Sequence, residues 1–156
     1  MTTLTAVERF GIDDLFAAYH WALDTGDVEG FVDTFAGDGR VLLQTPRGLQ
    51  RYDGRDGLVG LVEALRAWDP FPGCQHHAGQ VLAERIDGER LRLRSFVLVA
   101  ECRGEPPYAL RFAGRSDDRV RLVDGRWRFE RRFVRLWHDD AIVNRFMDQD
   151  LEETKA

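Results

Sequence analysis

The sequence predicts an α+β fold, with helices packed on one face of a strongly curved, mostly antiparallel sheet. Three observations predict it. Apolar residues recur at helical spacing through the N-terminal part of the chain, and the pattern then changes to strand-like runs. Two of the turns joining those runs are Asp-Gly pairs, Asp87-Gly88 and Asp124-Gly125, which signal hairpins. The chain has 156 residues, 44% hydrophobic and 31% charged, a size and balance suited to one domain with a single buried core.

Residues Thr5 to Leu23 carry an apolar stripe of Ile12, Leu15, Phe16, Tyr19, Ala22 and Leu23, which predicts a first helix. Thr5 and Glu8 have the spacing of a capping box. After Asp24-Thr25-Gly26, Asp27 reads as the N-cap of a short second helix with Phe31 and Phe35 on one face, broken by Gly37-Asp38-Gly39. Val41 to Thr45 reads as a short strand. Asp53-Gly54 makes a turn into a third helix with Leu58, Leu61, Val62 and Leu65 at helical spacing. Four strands are then predicted, over Ala78–Ile86, Leu91–Cys102, Tyr108–Val123 and Trp127–His138. A short helix from about Asp139 would carry Ile142, Val143, Phe146 and Met147, followed by a polar tail from Gln149.

Composition narrows the function. A net charge of −5 argues against a nucleic-acid protein, which usually has a basic surplus. Cys74 and Cys102 make no disulfide framework, and no Cys or His spacing suggests a metal site. No apolar run reaches the length of a membrane span and no signal-peptide pattern opens the chain, so a cytoplasmic location is expected.

The candidate chemistry begins at Cys74-Gln75-His76-His77, where the loop Trp68-Asp69-Pro70-Phe71-Pro72-Gly73 becomes a strand. Neighbouring strand residues face opposite ways, so one of His76 and His77 can face an interior and act there as a general base. Asp24 ends the first helix, against the field of the helix dipole. Such a local violation is expected at functional positions and makes Asp24 a candidate for proton transfer. Tyr19 lies on the apolar stripe and is a candidate hydrogen-bond donor at a pocket. His20, four residues before Asp24, reads as its surface partner. In the last predicted strand, period two puts Trp127, Phe129, Phe133 and Trp137 on one face together with Arg131 and Arg135, and guanidinium groups there need a partner, a ligand or water.

Taken together, Tyr19-His20-Trp21-Ala22-Leu23-Asp24-Thr25-Gly26-Asp27, Gly54-Arg55-Asp56-Gly57, Gln75-His76-His77, Asp124-Gly125-Arg126-Trp127 and Phe133-Val134-Arg135 resemble the SnoaL-like branch of the nuclear-transport-factor-2-like superfamily. The resemblance runs over roughly residues 5 to 147. It implies a cone-shaped fold, a curved sheet around a deep pocket closed by helices. It is shared with scytalone dehydratase, bile-acid 7α-dehydratase, polyketide cyclases and the small subunits of ring-hydroxylating dioxygenases. By this resemblance Tyr19 and Asp24 match catalytic groups of the first helix, His76 is favoured over His77, and Arg135 matches an Arg of the last strand. A second Asp of the bile-acid enzyme falls near Ala100-Glu101. The second His and the Asn of scytalone dehydratase fall near Ser95-Phe96 and Ser116, without matching residues.

The expected function is acid/base chemistry without a metal or organic cofactor. The substrate would be a small apolar carbonyl compound, and the reaction a dehydration, cyclisation or isomerisation. Tyr19, Asp24, His76 or His77, and Arg135 are the candidate catalytic residues, and Trp21, Trp68, Phe96, Phe112, Phe133 and Trp137 the candidate pocket walls. A homodimer through the outer face of the sheet is expected from the resemblance. The alternative is a non-catalytic ligand-binding or assembly module like a dioxygenase small subunit.

Overall fold

The structure is a computed structural model and describes residues 4–45, 47–68 and 71–136. Trp137 and the helix expected from Asp139 lie outside the described residues.

The first helix, α1 (Ala6–Thr25), starts as its sequence requires. The Glu8 amide donates to Thr5 Oγ1 at 3.2 Å, and the Thr5 amide donates to Glu8 Oε2 at 2.8 Å, so both halves of the capping box are made. Its stripe of Ile12, Leu15, Phe16, Tyr19, Ala22 and Leu23 is buried. Gly26 ends it at φ 74, a left-handed conformation that glycine adopts without a Cβ penalty. Asp27 then caps α2 (Val28–Asp33), accepting from the Gly30 amide at 3.0 Å. Here the structure corrects the sequence: α2 stops at Asp33, and Phe35 opens the strand β1 (Phe35–Thr45). Phe31 and Phe35 still meet, with ring centroids 5.3 Å apart, but across a helix-to-strand junction. A second correction is β2 (Gly48–Asp53), an unpredicted strand that folds back on β1 with Thr45 opposite Gly48. The helix α3 (Gly54–Arg66) follows and buries Leu58, Leu61 and Val62.

The remaining strands are β3 (Cys74–Arg85), β4 (Arg90–Glu101), β5 (Ala109–Val123) and β6 (Arg126–Leu136). They complete a six-stranded sheet in the order β2-β1-β6-β5-β4-β3. All neighbours are antiparallel except β1 and β6, so the sheet is mixed. Its inner face packs on the helices around an aromatic cluster. Phe129, fully buried, has its ring centroid within 5.5–5.6 Å of those of Phe16, Tyr19 and Phe35.

Two irregularities decide which side chains face the helices. In β3 the pairing with β4 jumps between Gly79 and Leu82, and Gln80 takes φ 49. Before this bulge Cys74, His76 and Ala78 turn inward; after it Val81 and Ala83 do. In β6, Phe129 pairs with Val120 and Arg131 with Arg119, so Glu130 is an extra residue. Trp127 and Phe129 belong to the core, but beyond Glu130 the inward positions become Arg132, Val134 and Leu136. Arg131, Phe133 and Arg135 are carried to the outer face. The expectation that Arg135 and Phe133 share the inner face with Trp127 and Phe129 is therefore corrected.

Candidate active site

Between the helices and the far half of the sheet lies a cavity of about 100 Å³, room for several waters or part of a compact organic molecule. Its walls are mainly apolar, with Leu61 and Leu65 of α3, Val97 and Val99 of β4, and Trp68 and Phe112 facing each other at 5.9 Å. Its polar side chains are Tyr19, His20, His76 and Arg132, with Cys74 beside them.

His76 is held at two points by one carboxylate. Its ring Nδ1 lies 2.5 Å from Asp24 Oδ1, and its backbone N–H donates to Asp24 Oδ2 at 2.8 Å. The pair is mostly shielded, with side-chain exposures of 18% and 20%. A carboxylate only accepts, so Nδ1 carries a ring proton, and in the neutral form of the ring Nε2 keeps its lone pair. The last turn of α1 supplies Asp24 and the third residue of β3 is His76, so a helix-ending acid meets a strand-opening imidazole. His77, the next residue, is exposed on the other side of β3.

Tyr19 is buried, and burial raises its phenol above the ordinary value, so the hydroxyl stays protonated and can donate. Arg132 lies over its ring, the guanidinium carbon 4.2 Å from the centroid, and also over Phe16 and Phe129. Arg132 is 1% exposed, and its Nη2 is 3.5 Å from Asp118 Oδ2. Its Nε and Nη1 have no hydrogen-bond partner among the described residues. Burial pushes the Asp118 carboxyl up to about 6, against the opposing pull of Arg132 and of a Ser116 hydroxyl that donates at 2.9 Å. Ser95 and Ser116, where the resemblance lacks the dehydratase His and Asn, are buried and bonded to each other at 2.8 Å.

His20 also lines the cavity, which corrects its expected role as a surface partner of Asp24. Burial first, then the charge of Arg132 and the imidazoles of His76 and His77, hold it down to about 3, so it is neutral. Tyr19, Asp24, His76, Trp68 and Phe112 are thus brought together. Arg135 is not; its guanidinium lies over Phe133, 4.8 Å away, on the opposite face of β6. Trp21 is 76% exposed on the outer side of α1, and Phe96 is 41% exposed on the outer sheet face under Arg115. Sequence reasoning missed Arg132, because strand parity alone points to its neighbours. Among the described residues, no group of three or more His, Cys, Asp or Glu side chains could hold a metal ion, and no helix is long and apolar enough to cross a membrane.

Fold and site together define a class: helix-and-sheet proteins that enclose a small apolar cavity with a carboxylate-held imidazole on its wall. Within that class the chain belongs to the SnoaL-like family, whose SnoaL-like domain profile matches residues 5–133. Among solved structures it is similar to a candidate scytalone dehydratase from Novosphingobium aromaticivorans, at 27% identity over 85% of each chain with a TM-score of 0.70. From the same organism, a nuclear-transport-factor-2-like protein with a cystatin-like fold matches at 22% identity, over 90% of this chain and 88% of that one, with a TM-score of 0.75. The β subunit of a candidate aromatic-ring-hydroxylating dioxygenase from that organism matches at 23% identity, over 85% and 91%, with a TM-score of 0.69. The last two show the fold alone. A comparison with curated proteins gives no match.

Proposed function

We propose that the protein is an acid/base enzyme of the dehydratase, cyclase or isomerase type, acting on a small, mostly apolar carbonyl compound. The two-point hold of Asp24 on His76 at the cavity wall carries this reading. His76 Nε2 takes the proton next to the carbonyl. Asp24 keeps the ring in that tautomer and stabilises the imidazolium that forms. Electron density then moves to the carbonyl oxygen, where the Tyr19 hydroxyl and the unpaired nitrogens of Arg132 are the available donors. The role first expected of Arg135 passes to Arg132. Every group in this step belongs to the chain itself.

Proton abstraction can be read without the true substrate, as exchange of the α-protons of 1-tetralone for deuterium, followed by NMR. Asp24→Asn and His76→Ala should each fold normally and slow exchange by about 10²-fold or more, given typical acid–base contributions. The double variant should be little worse than either single one, because the pair acts as a unit. Full exchange in both folded single variants would sink the mechanism.

One observation favours a second reading, an assembly module. Phe96, Leu98 and Leu110 are exposed large apolar residues on the outer side of β4 and β5. A homodimer through that face would cover them. Light scattering that gives a monomer mass at every concentration removes this reading.

A further inference from the structure

The outer face of the sheet takes no part in the proposed chemistry, and its centre is built largely of arginine. Cross-strand pairing sets the side chains there in three rows. Arg40, Arg131, Arg119 and Arg92 lie abreast on β1, β6, β5 and β4. Two residues along each strand, Leu42 and Phe133 stand beside Asp117 and Arg94. The last row, where β6 ends, holds Gln44, Arg135, Arg115 and Phe96. Like charges directly opposite one another destabilise a sheet, so a row of four arginines calls for anions against it. Asp117 supplies one carboxylate, 2.6 Å from Arg92 Nη2 and 3.4 Å from Arg131 Nη2, and Glu84 of β3 matches Arg94.

The middle of this face is also buried. Leu42 and Phe133 are each 7% exposed, yet they belong to neither of the apolar clusters of the inner side, where the helices pack. Arginine stems flank them, but no described element lies over them. A cover for this face must bring an apolar surface to its centre and carboxylates to its rows.

A second copy of the same face does not meet that demand. A two-fold dimer centred on it sets identical patches against each other, arginine rows against arginine rows. The chain itself holds a better match. β6 delivers the backbone to Leu136, at the last row, and residues 137–156 follow. They carry Asp139, Asp140, Asp148, Asp150, Glu152 and Glu153 against Arg145 and Lys155, which is four of the five net negative charges of the whole chain. Ile142, Val143, Phe146 and Met147 recur there at helical spacing. A helix from Asp139 to Met147 would be roughly 14 Å long. The three rows span about 13 Å along the strands.

We infer that residues 137–156 dock on the outer face of the sheet, with the Ile142–Met147 stripe on Leu42 and Phe133 and the flanking carboxylates along the arginine rows. The face is thereby closed within one chain. This leaves the acid/base reading untouched and competes with the assembly reading for the same side of the sheet.

The test uses the full-length chain, whose one lysine is Lys155. Arg40→Lys, Arg119→Lys and Arg135→Lys are made one at a time, each placing an amine on the face. A water-soluble carbodiimide joins that amine to a carboxylate in contact with it, and mass spectrometry of tryptic peptides identifies the pair. Cross-links to acids of residues 137–156 are expected in the monomer fraction from one or more of the three variants. None is expected from Arg55→Lys, on the helix side beside Glu29. Adding Ile142→Ser and Phe146→Ser keeps every carboxylate and should abolish the cross-links. Their absence from all three variants overturns the proposal. So do cross-links found only in a dimer fraction, cross-links equally abundant from Arg55→Lys, or cross-links unchanged after loss of the apolar stripe.

Discussion

Phe129 and Phe133 lie four apart on β6, and an unbroken strand would give them one environment. The extra residue Glu130 separates them, and truncation should measure the separation. Phe129 is fully buried with three ring partners at 5.5–5.6 Å and the Arg132 guanidinium at 4.8 Å. Phe129→Ala removes a buried aromatic, worth about 3–5 kcal/mol, and aromatic pairs that add about 0.5–1.5 kcal/mol each. These contributions overlap, so a loss near about 5 kcal/mol is expected. Phe133 lies on the outer face, where the flexible stems of Arg131 and Arg135 can settle into a gap; Phe133→Ala should cost about 2 kcal/mol, since the cost depends on how well a site collapses. In a chain of this size about 1 kcal/mol shifts the midpoint by roughly 2–4 °C, so thermal melts should separate the variants by about 6–12 °C. Urea titrations at constant m give the same comparison in free energy. Equal losses, or a larger loss at Phe133, would refute the change of parity at Glu130.

Two further outcomes follow from the same geometry. Val134→Trp should abolish binding of aryl ketones by filling the cavity, while Arg135→Ala, on the opposite face, should leave their affinity within about twofold by calorimetry. For pH, His20 is held down to about 3 in the folded state against 6.5 as its ordinary value, with Arg132, His76, His77, Tyr19 and Asp24 around it. Below 6.5 the unfolded chain takes up a proton there that the folded chain refuses. Stability is therefore present above 6.5 and lost as pH falls toward 3. Melting temperatures between pH 7 and pH 4 should fall less steeply for His20→Phe than for wild type.

The legible parts of the fold were those decided locally. Thr5 and Glu8 announce the start of α1, Asp27 caps α2, and the Asp-Gly turns bound β4 and β6, because caps and turns depend on a few adjacent side chains. The boundary between α2 and β1 was not legible, since Phe31 and Phe35 fit a helical stripe and only pairing with Phe129 pulls Phe35 into a strand. The candidate site divides in the same way. Asp24 and His76 were readable from a helix end and a strand start. Arg132 was not, because a bulge is settled by the strand across the ladder and one extra residue exchanges the two faces. The bulge at Gln80 did no such harm, because His76 precedes it.

The position of β6 also governs how the protein can be made. It is the last described strand, yet it lies between β1 and β5 and is the one strand that joins the N-terminal hairpin to the rest of the sheet. A nascent chain that has reached Val123 owns the three described helices, the β1–β2 hairpin and the β3–β5 sheet, with bare edges on both pieces and Phe16, Phe35 and Tyr19 waiting for Phe129. Closing so long a chain segment yields no sheet contact between the two pieces until the eleven residues of β6 arrive. Vectorial synthesis therefore holds both pieces open to aggregation until β6 has emerged, and a ribosome stalled before Arg126 releases two sticky half-sheets rather than a smaller working domain.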